Sequence, residues 1–361
     1  MAPPDDSPPR LSELTTLRLG GPATRLATAG DEGEIADAVR RADRDGEPLL
    51  LLAGGSNVVV ADEGFAGTVL RIASRGVGRR DEAGGRALLE VAAGEPWDPF
   101  VASCVEQGLA GIECLSGIPG SVGATPIQNV GAYGQEVAAT ISSVRVLDRA
   151  GGAVGELGPE ECAFTYRSSA FKRDPGRWVV LAVTFALERS RRSAPIRYAE
   201  LARRLGVQVG DRAPLGEVRD AVLELRRGKG MVIDPADPDS VSAGSFFTNP
   251  VMDEAAFADL EARVTERLGD GVRPPAFPDD GGHVKTSAAW LIERAGFTRG
   301  HGDPDGIAIS AKHTLALTNR GAGSTTELVA LAREIAHGVR EAFGVELVPE
   351  PVFVGHAWHD D

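Results

Sequence analysis

The stretch Gly117 to Gln135, GIPGSVGATPIQNVGAYGQ, concentrates Gly117, Gly120, Gly123, Gly131 and Gly134 in one run. That is more glycine than turning a corner requires. Pro119 and Pro126 stiffen the run, while Gln128, Asn129 and Tyr133 supply polar groups, so it reads as a cradle whose backbone amides approach a bulky ligand closely. Upstream, the apolar run Leu49 to Ala53 empties into Gly54, Gly55, Ser56 and Asn57, before a second apolar run from Val58 to Val60. The pattern is strand, anion-binding nest, strand. Taken alone, Gly-Gly-Ser-Asn between strands is more often an ordinary hairpin turn. Two glycine-rich segments in one chain, however, can cover the two phosphates and the ring of a dinucleotide. No complete G-x-G-x-x-G and no Walker A sequence occur, which disfavours the usual nicotinamide fingerprint and the P-loop and implies a different dinucleotide fold.

Composition narrows the function classes. A chain of 361 residues with 42% hydrophobic content has room for two or three cores. A formal charge of -14 repels nucleic acid and anionic membrane surfaces, so an anionic substrate has to be met by a local cationic pocket. The start, MAPPDDSPPR, is acidic and proline-rich, and no later apolar run reaches bilayer length. A cytoplasmic protein without membrane insertion is expected. Cys104, Cys114 and Cys162 are too few and scattered for a disulfide framework and read as buried thiols. The histidines show no ligand spacing with acids or cysteines, so no metal site is expected, and no obligatory protein partner is evident.

The organisation reads as α+β. Residues 1–10 read as a disordered tail. Residues 11–75 form a first subdomain, with a helix over Asp31 to Gly46 and strands at Leu49 to Ala53, Val58 to Ala61 and Thr68 to Ile72. Residues 76–228 form a second, with a strand at Ala87 to Ala93, a helix at Trp97 to Gln107, the long cradle, and strands near Val144 to Asp148 and Trp178 to Leu187. Tyr198 to Arg227 is mostly helical and basic, and DPADPD then interrupts it. Residues 229–361 form an α+β C-terminal domain, with helices at Asp253 to Leu268, Thr286 to Ala295 and Thr325 to Phe343 and a short strand at Thr314 to Thr318.

Seven motifs in order carry a specific resemblance: TTLRLGGPA (Thr15 to Ala23), LLAGGSNVVV, GIPGSVGATPIQNVGAYGQE, YRSSAFK (Tyr166 to Lys172), SAGSFFTNP (Ser242 to Pro250), KTSAAWLIE (Lys285 to Glu293) and PEPVF (Pro349 to Phe353). Over nearly its whole length the chain resembles the UDP-N-acetylenolpyruvoylglucosamine reductase family, bacterial flavoenzymes that make UDP-N-acetylmuramate for peptidoglycan. The resemblance implies a two-part FAD-binding domain of the vanillyl-alcohol-oxidase-like type, followed by a substrate-binding domain, with NADPH as reductant. Some flavin enzymes with this type of domain tether the cofactor to a histidine in the N-terminal half. Here all six histidines lie after residue 282, so FAD is expected to be noncovalent.

The implied chemistry is hydride transfer from NADPH to FAD and then to an enolpyruvyl double bond, which requires cations for the developing charge and an acid for the other carbon. By resemblance, Arg167 is the catalytic arginine whose planar fork holds the carboxylate. Glu350 is the active-site glutamate, and Ser245 is the serine that protonates the substrate carbon. Two of the three have a plainer reading in isolation: a surface ion pair for Arg167, and a small residue packed beside Phe246 and Phe247 for Ser245. Tyr198 and Asn249 are implied to hold the UDP-sugar, and Lys229 and Lys285 to offset diphosphate charge, although lone lysines are usually solvated. Gly54, Gly55, Ser56 and Asn57 are assigned to the FAD pyrophosphate, with Gly120, Ser121, Gly123, Gln128, Asn129 and Gly131 along the remainder of the cofactor. Arg294 departs from the family pattern, where a polar amide is expected. Two alternatives stand beside this reading. One is a flavin oxidase or dehydrogenase of the same fold acting on another small molecule, and the other a nonenzymatic flavin or nucleotide-sugar sensor. Neither needs Arg167, Ser245 and Glu350 together.

Overall fold

The computed structural model describes residues 8–81 and 85–358, and most of the expected tail, residues 1–7, lies outside them. The chain forms two compact units, each assembled from noncontiguous segments: Ala23–Gly55 with Phe65–Val232, and Arg10–Pro22 with Ser56–Gly64 and Ile233 onward.

The first unit holds two sheets. Ala23–Ala29, Phe65–Ile72 and Leu49–Leu52 form a parallel sheet with Phe65–Ile72 central. The helix Glu32–Asp45 lies where the sequence places it. Asp31 caps its N-terminus by accepting from Glu34 N–H (2.8 Å), and Gly46, at φ 65°, ends it in the left-handed region. Its buried face, Ile35, Ala36 and Val39, packs with Leu70, Leu147, Val179 and Leu181. The second sheet is antiparallel, in the order Ala153–Leu157, Ile141–Asp148, Trp178–Arg189, Arg86–Ala92, Val77–Asp81. Its long central strand Trp178–Arg189 is buried over Val179 to Phe185, which accounts for a sequence there that is apolar except at Thr184. The helix Trp97–Glu106 buries Trp97, Phe100, Val101 and Cys104 against this sheet's core.

The second unit is built on the helix Thr325–Phe343, which opens with a capping box between Ser324 and Glu327. Its apolar face shares one core with the helices Glu254–Leu268 and Ala288–Ala295 and with the antiparallel sheet Ser242–Ser245, Ala316–Asn319, Ile307–Ile309. Leu17, Leu19 and Val59 enter the same core from the N-terminal segments. The sequence places a strand at Val58 to Ala61 in the first subdomain. Instead it pairs in parallel with Val352–Val354 in the second unit, in the register Val58 to Val352. The physical reason is burial: Val59 and Val60 are fully buried, and that strand gives their backbone groups partners 294 residues away.

Candidate functional site

In the first unit the two glycine-rich segments meet. A Cβ on Gly54 would lie 2.5 Å from Gly120 Cα, so the close approach of the second segment leaves no room for a side chain at Gly54. Gly55 turns at φ 58° and Gly120 at φ 118°, both backbone settings that favour glycine. The helix Trp97–Glu106 holds the early part of the long loop. Trp97 N–H donates to Gly120 O (3.1 Å), the Trp97 indole donates to Leu115 O (3.0 Å), and Gly117 N–H donates to Asp98 (2.6 Å). Gly123 is needed for close packing on Ala93, and its N–H donates to Ala93 O (2.8 Å), so that amide is engaged within the protein. Ser121 Oγ differs: it is buried and has no hydrogen-bond partner among the described residues. A glycine-lined turn with an unsatisfied buried hydroxyl fits a ligand rich in acceptor oxygens, as the FAD pyrophosphate is. Gln128 is half-buried.

The motif YRSSAFK closes onto the far end of the same loop. Thr165 and Ser168 bridge a tight turn, with Arg167 at φ 52°. Ser169 Oγ donates to Ile127 O (2.5 Å) and caps the short helix Ala170–Arg173. Arg167 Nη2 donates to Gly131 O (2.7 Å) and Nη1 lies 3.5 Å from Asn129 O, so the guanidinium rests on carbonyls of the glycine loop. The Asn129 side chain works as scaffold. It donates to Glu136 (2.8 Å) and Thr165 O (3.1 Å) and accepts from Ala138 N–H (3.1 Å). These bonds draw Arg167, Asn129 and Gly131 together.

Tyr198 and Lys229 also gather in this unit. The Tyr198 ring meets Tyr133 edge-on at 5.4 Å, and Lys229 Nζ lies 5.8 Å from the Tyr133 ring and 2.9 Å from Glu200. Burial works against the Lys229 charge, but Glu200 and the tyrosines hold its pKa above the ordinary lysine value. Tyr198 remains 42% exposed, enough surface for a ligand to cover. Sequence reasoning missed the cations behind them. Arg226 is almost wholly buried, which pushes its pKa down to about 10 against the opposing pull of Tyr133 and Asp98. Arg219, seven residues earlier on the helix Leu215–Gly228, clamps Asp98 with two bonds of 2.6 and 2.9 Å. The signal for them is the seven-residue spacing of Arg219 and Arg226 on one helix face, within the basic stretch Tyr198 to Arg227.

In the second unit one ladder gathers Ser245, Glu350 and Asn57. Ser245 ends the strand Ser242–Ser245, opposite Ala316. The next residue, Phe246, accepts from Glu350 N–H (2.8 Å) and gives its own N–H to Leu315 O (2.7 Å). Asn57 Nδ2 donates to Glu350 O (3.3 Å), while Asn57 O accepts from Val352 N–H (3.0 Å). Ser56 and Asn57 therefore belong to the second unit, whereas Gly54 and Gly55 belong to the first. Ser245 Oγ lies 3.4 Å from His313 Nε2, a partner the sequence did not suggest. Asn249 accepts from Ala288 N–H (3.0 Å) through its side chain, tying down the start of the helix Ala288–Ala295, and Lys285 pairs with Asp279 (3.2 Å). Arg294 lies over Trp290 at 5.8 Å. Cys104 and Cys162 are buried, both pushed up to about 12 by that burial. Among the described residues no group of three or more His, Cys, Asp or Glu could hold a metal, and no helix is long and apolar enough to cross a membrane.

Residues 23–158 match the model of the FAD binding domain, so the fold and the glycine cradle define an FAD-dependent oxidoreductase. Residues 235–354 match the C-terminal domain of UDP-N-acetylenolpyruvoylglucosamine reductase. The chain belongs to the UDP-N-acetylenolpyruvoylglucosamine reductase family. It is 60% identical over 348 residues to the protein of that name from Streptomyces coelicolor, covering 96% of this chain and 89% of the relative. It is 58% identical to that from Thermobifida fusca, covering 96% of each. The crystal structure of the reductase from Thermus caldophilus superposes with a TM-score of 0.64 at 26% identity, covering 96% of this chain and 97% of that one.

Proposed function

We propose that this chain reduces UDP-N-acetylglucosamine enolpyruvate to UDP-N-acetylmuramate, using noncovalent FAD and NADPH, in the synthesis of peptidoglycan precursors. The observation that carries the reading is the ladder of the second unit, in which Ser245 and Glu350 sit on hydrogen-bonded neighbouring segments. FAD supplies, when bound, a carrier that takes hydride from NADPH and gives it to the enolpyruvyl double bond. The residues to hold it are Gly54, Gly55, Ser56, Asn57, Gly120, Ser121, Gly123, Gln128, Asn129 and Gly131. Ser121 Oγ and the glycine turns serve the phosphates, and Gly123 and Asn129 act chiefly by shaping the loop.

Arg167 holds the substrate carboxylate. Its guanidinium is braced by two backbone carbonyls, so it can present its remaining N–H groups in a fixed plane as negative charge develops. Glu350 hydrogen-bonds the same developing charge, either protonated or through a water. Ser245 gives its hydroxyl proton to the carbon that does not receive hydride. Tyr198 and Asn249 hold the nucleotide sugar, Asn249 also accepting from Ala288 N–H through its side chain, and Lys229 and Lys285 offset the diphosphate. The chain works in the cytoplasm on a UDP-sugar and NADPH, without nucleic acid, membrane insertion or an obligatory protein partner.

The test is anaerobic. Purified yellow protein is bleached with one equivalent of NADPH, and the enolpyruvyl UDP-sugar is then added. Return of flavin colour with formation of UDP-N-acetylmuramate is the expected result. Flavin that bleaches and stays reduced until oxygen enters would overturn the substrate assignment in favour of an oxidase.

A further inference from the structure

We propose that His313 is a positioning residue for Ser245: its ring N–H holds the serine oxygen, aims the hydroxyl hydrogen away from itself, and replaces the proton that the serine gives up. The inference rests on the reading of Ser245 as proton donor. It starts from the contact of 3.4 Å between Ser245 Oγ and His313 Nε2, made across 68 residues of sequence.

Backbone bonds fix both ends of that contact. Ser245 lies opposite Ala316 in its sheet, and Phe246 N–H donates to Leu315 O (2.7 Å). His313 sits in the turn that leads into the same partner strand. Its N–H donates to Ser310 Oγ (3.2 Å), its carbonyl accepts from Ala316 N–H (3.0 Å), and Ser310 N–H donates to Ala316 O (2.8 Å). The strand and the turn thus set the distance between ring and hydroxyl.

The chemistry needs such a neighbour. A serine hydroxyl is a weak acid, and giving its proton to carbon leaves an alkoxide that must be stabilised and then reprotonated. Charged groups on the surrounding segments are engaged elsewhere. Lys312 is bonded to Asp237 (2.8 Å), Arg320 to Asp239 (2.9 Å), and Glu293 to the Thr314 hydroxyl (2.5 Å), while Glu350 lies on the segment bonded to Phe246. Asp239 also accepts from Ala311 N–H (3.0 Å). The half-buried imidazole of His313 is within hydrogen-bonding reach of Ser245 Oγ, and imidazole is the side-chain type whose ordinary titration falls near neutral pH.

The hydrogen on Nε2 decides where the serine hydrogen points. With a bare Nε2 the ring accepts that hydrogen and diverts it. With Nε2–H the ring donates to Oγ, and the hydroxyl hydrogen is directed to the substrate. The imidazolium form also closes the proton balance. The Ser245 O–H bond breaks as the carbon–hydrogen bond forms, the His313 Nε2–H bond breaks as Ser245 O–H re-forms, and the neutral ring takes a proton from solvent.

The experiment is anaerobic stopped-flow on the holoenzyme, timing flavin bleaching by NADPH and colour return with the enolpyruvyl UDP-sugar separately, from about pH 5.5 to 8.5. In the wild type, colour return slows as pH rises through the histidine titration, because the donating imidazolium is lost. His313→Ala slows colour return at least about tenfold more than bleaching. His313→Gln, which keeps an N–H donor, recovers part of that loss with a flat profile over the same range. Colour return in His313→Ala at the wild-type rate and with the wild-type profile would overturn the proposal. Should both variants lose flavin, the wild-type profile decides, and a rate constant across the range overturns it. Ser245→Ala measured in parallel separates the two readings: if it leaves colour return untouched, the role of Ser245 itself fails.

Discussion

Gly54 and Gly120 illustrate how little room the cradle leaves at the scale of single residues. Adding one methyl at Gly54 brings it to 2.5 Å from Gly120 Cα, a distance at which backbone has to shift. Overpacking of this kind costs about 1–3 kcal/mol. Gly54→Ala is therefore expected to lower the thermal midpoint and to reduce the flavin retained on gel filtration, whereas Gly151→Ala, whose added carbon meets none of the described residues within 4 Å, leaves both near wild type. Equal behaviour of the two variants would remove the close approach as the reason for glycine. Ser245 gives the complementary prediction for chemistry. Its hydroxyl lies outside the FAD-binding segments of the first unit, so Ser245→Ala is expected to retain FAD and its bleaching by NADPH while slowing colour return about a hundredfold or more. The same loss in both half-reactions would point to a packing role beside Phe246.

At the scale of elements, the helix Leu215–Gly228 is anchored through one carboxylate as well as through its buried apolar face. Asp98 takes both Arg219 bonds and the Gly117 N–H, joining that helix to the helix Trp97–Glu106 and to the start of the glycine loop. Burial alone would push Asp98 up, but Arg219 and the Gly117 amide together hold its carboxyl below the ordinary value of 3.8. A carboxyl lowered by folding contributes stability that is full above 3.8 and is lost as pH falls through the lower folded value. Asp98→Asn should destabilise the protein by about 1–3 kcal/mol at neutral pH, and the gap in urea midpoint between wild type and variant should narrow below pH 3.8. A gap independent of pH would mean that the ion pair is not its source. The same element shows the reach of local sequence signals. The helices Glu32–Asp45, Glu254–Leu268 and Thr325–Phe343 were legible because apolar spacing and caps are local signals. The clamp from Arg219 to Asp98 spans 121 residues, and the contact from His313 to Ser245 spans 68. Nothing local distinguishes those residues from solvated ones. Arg167 stood out only through its motif, and the structure supplies the reason for it: Ser169, Thr165 and Arg167 each bond the Ile127 to Gly131 stretch.

For the whole molecule, chain order and structural units do not coincide. A boundary near residue 229 follows the break in composition at DPADPD, yet the core of the C-terminal unit includes Leu17, Leu19 and Val59, exposed by 1%, 5% and 0%. The strand Val352–Val354, which follows Glu350, takes its parallel partner from Val58–Val60. Asn319 Nδ2 donates to Leu17 O (3.1 Å), and the Thr325 hydroxyl donates to Val60 O (2.6 Å), so the omitted segments satisfy polar groups as well as fill space. Burying an apolar side chain of this size contributes about 1.5–3 kcal/mol. Three together approach the whole stability of an ordinary domain, about 5–15 kcal/mol. A polypeptide of residues 229–361 is therefore expected to lack cooperative thermal unfolding and to expose apolar surface to a hydrophobic dye. Adding a peptide of residues 10–22 in trans should restore protection only in part, because Val58–Val60 is still missing. Sharp two-state melting of the isolated 229–361 polypeptide would show that the N-terminal segments decorate a core that is complete without them.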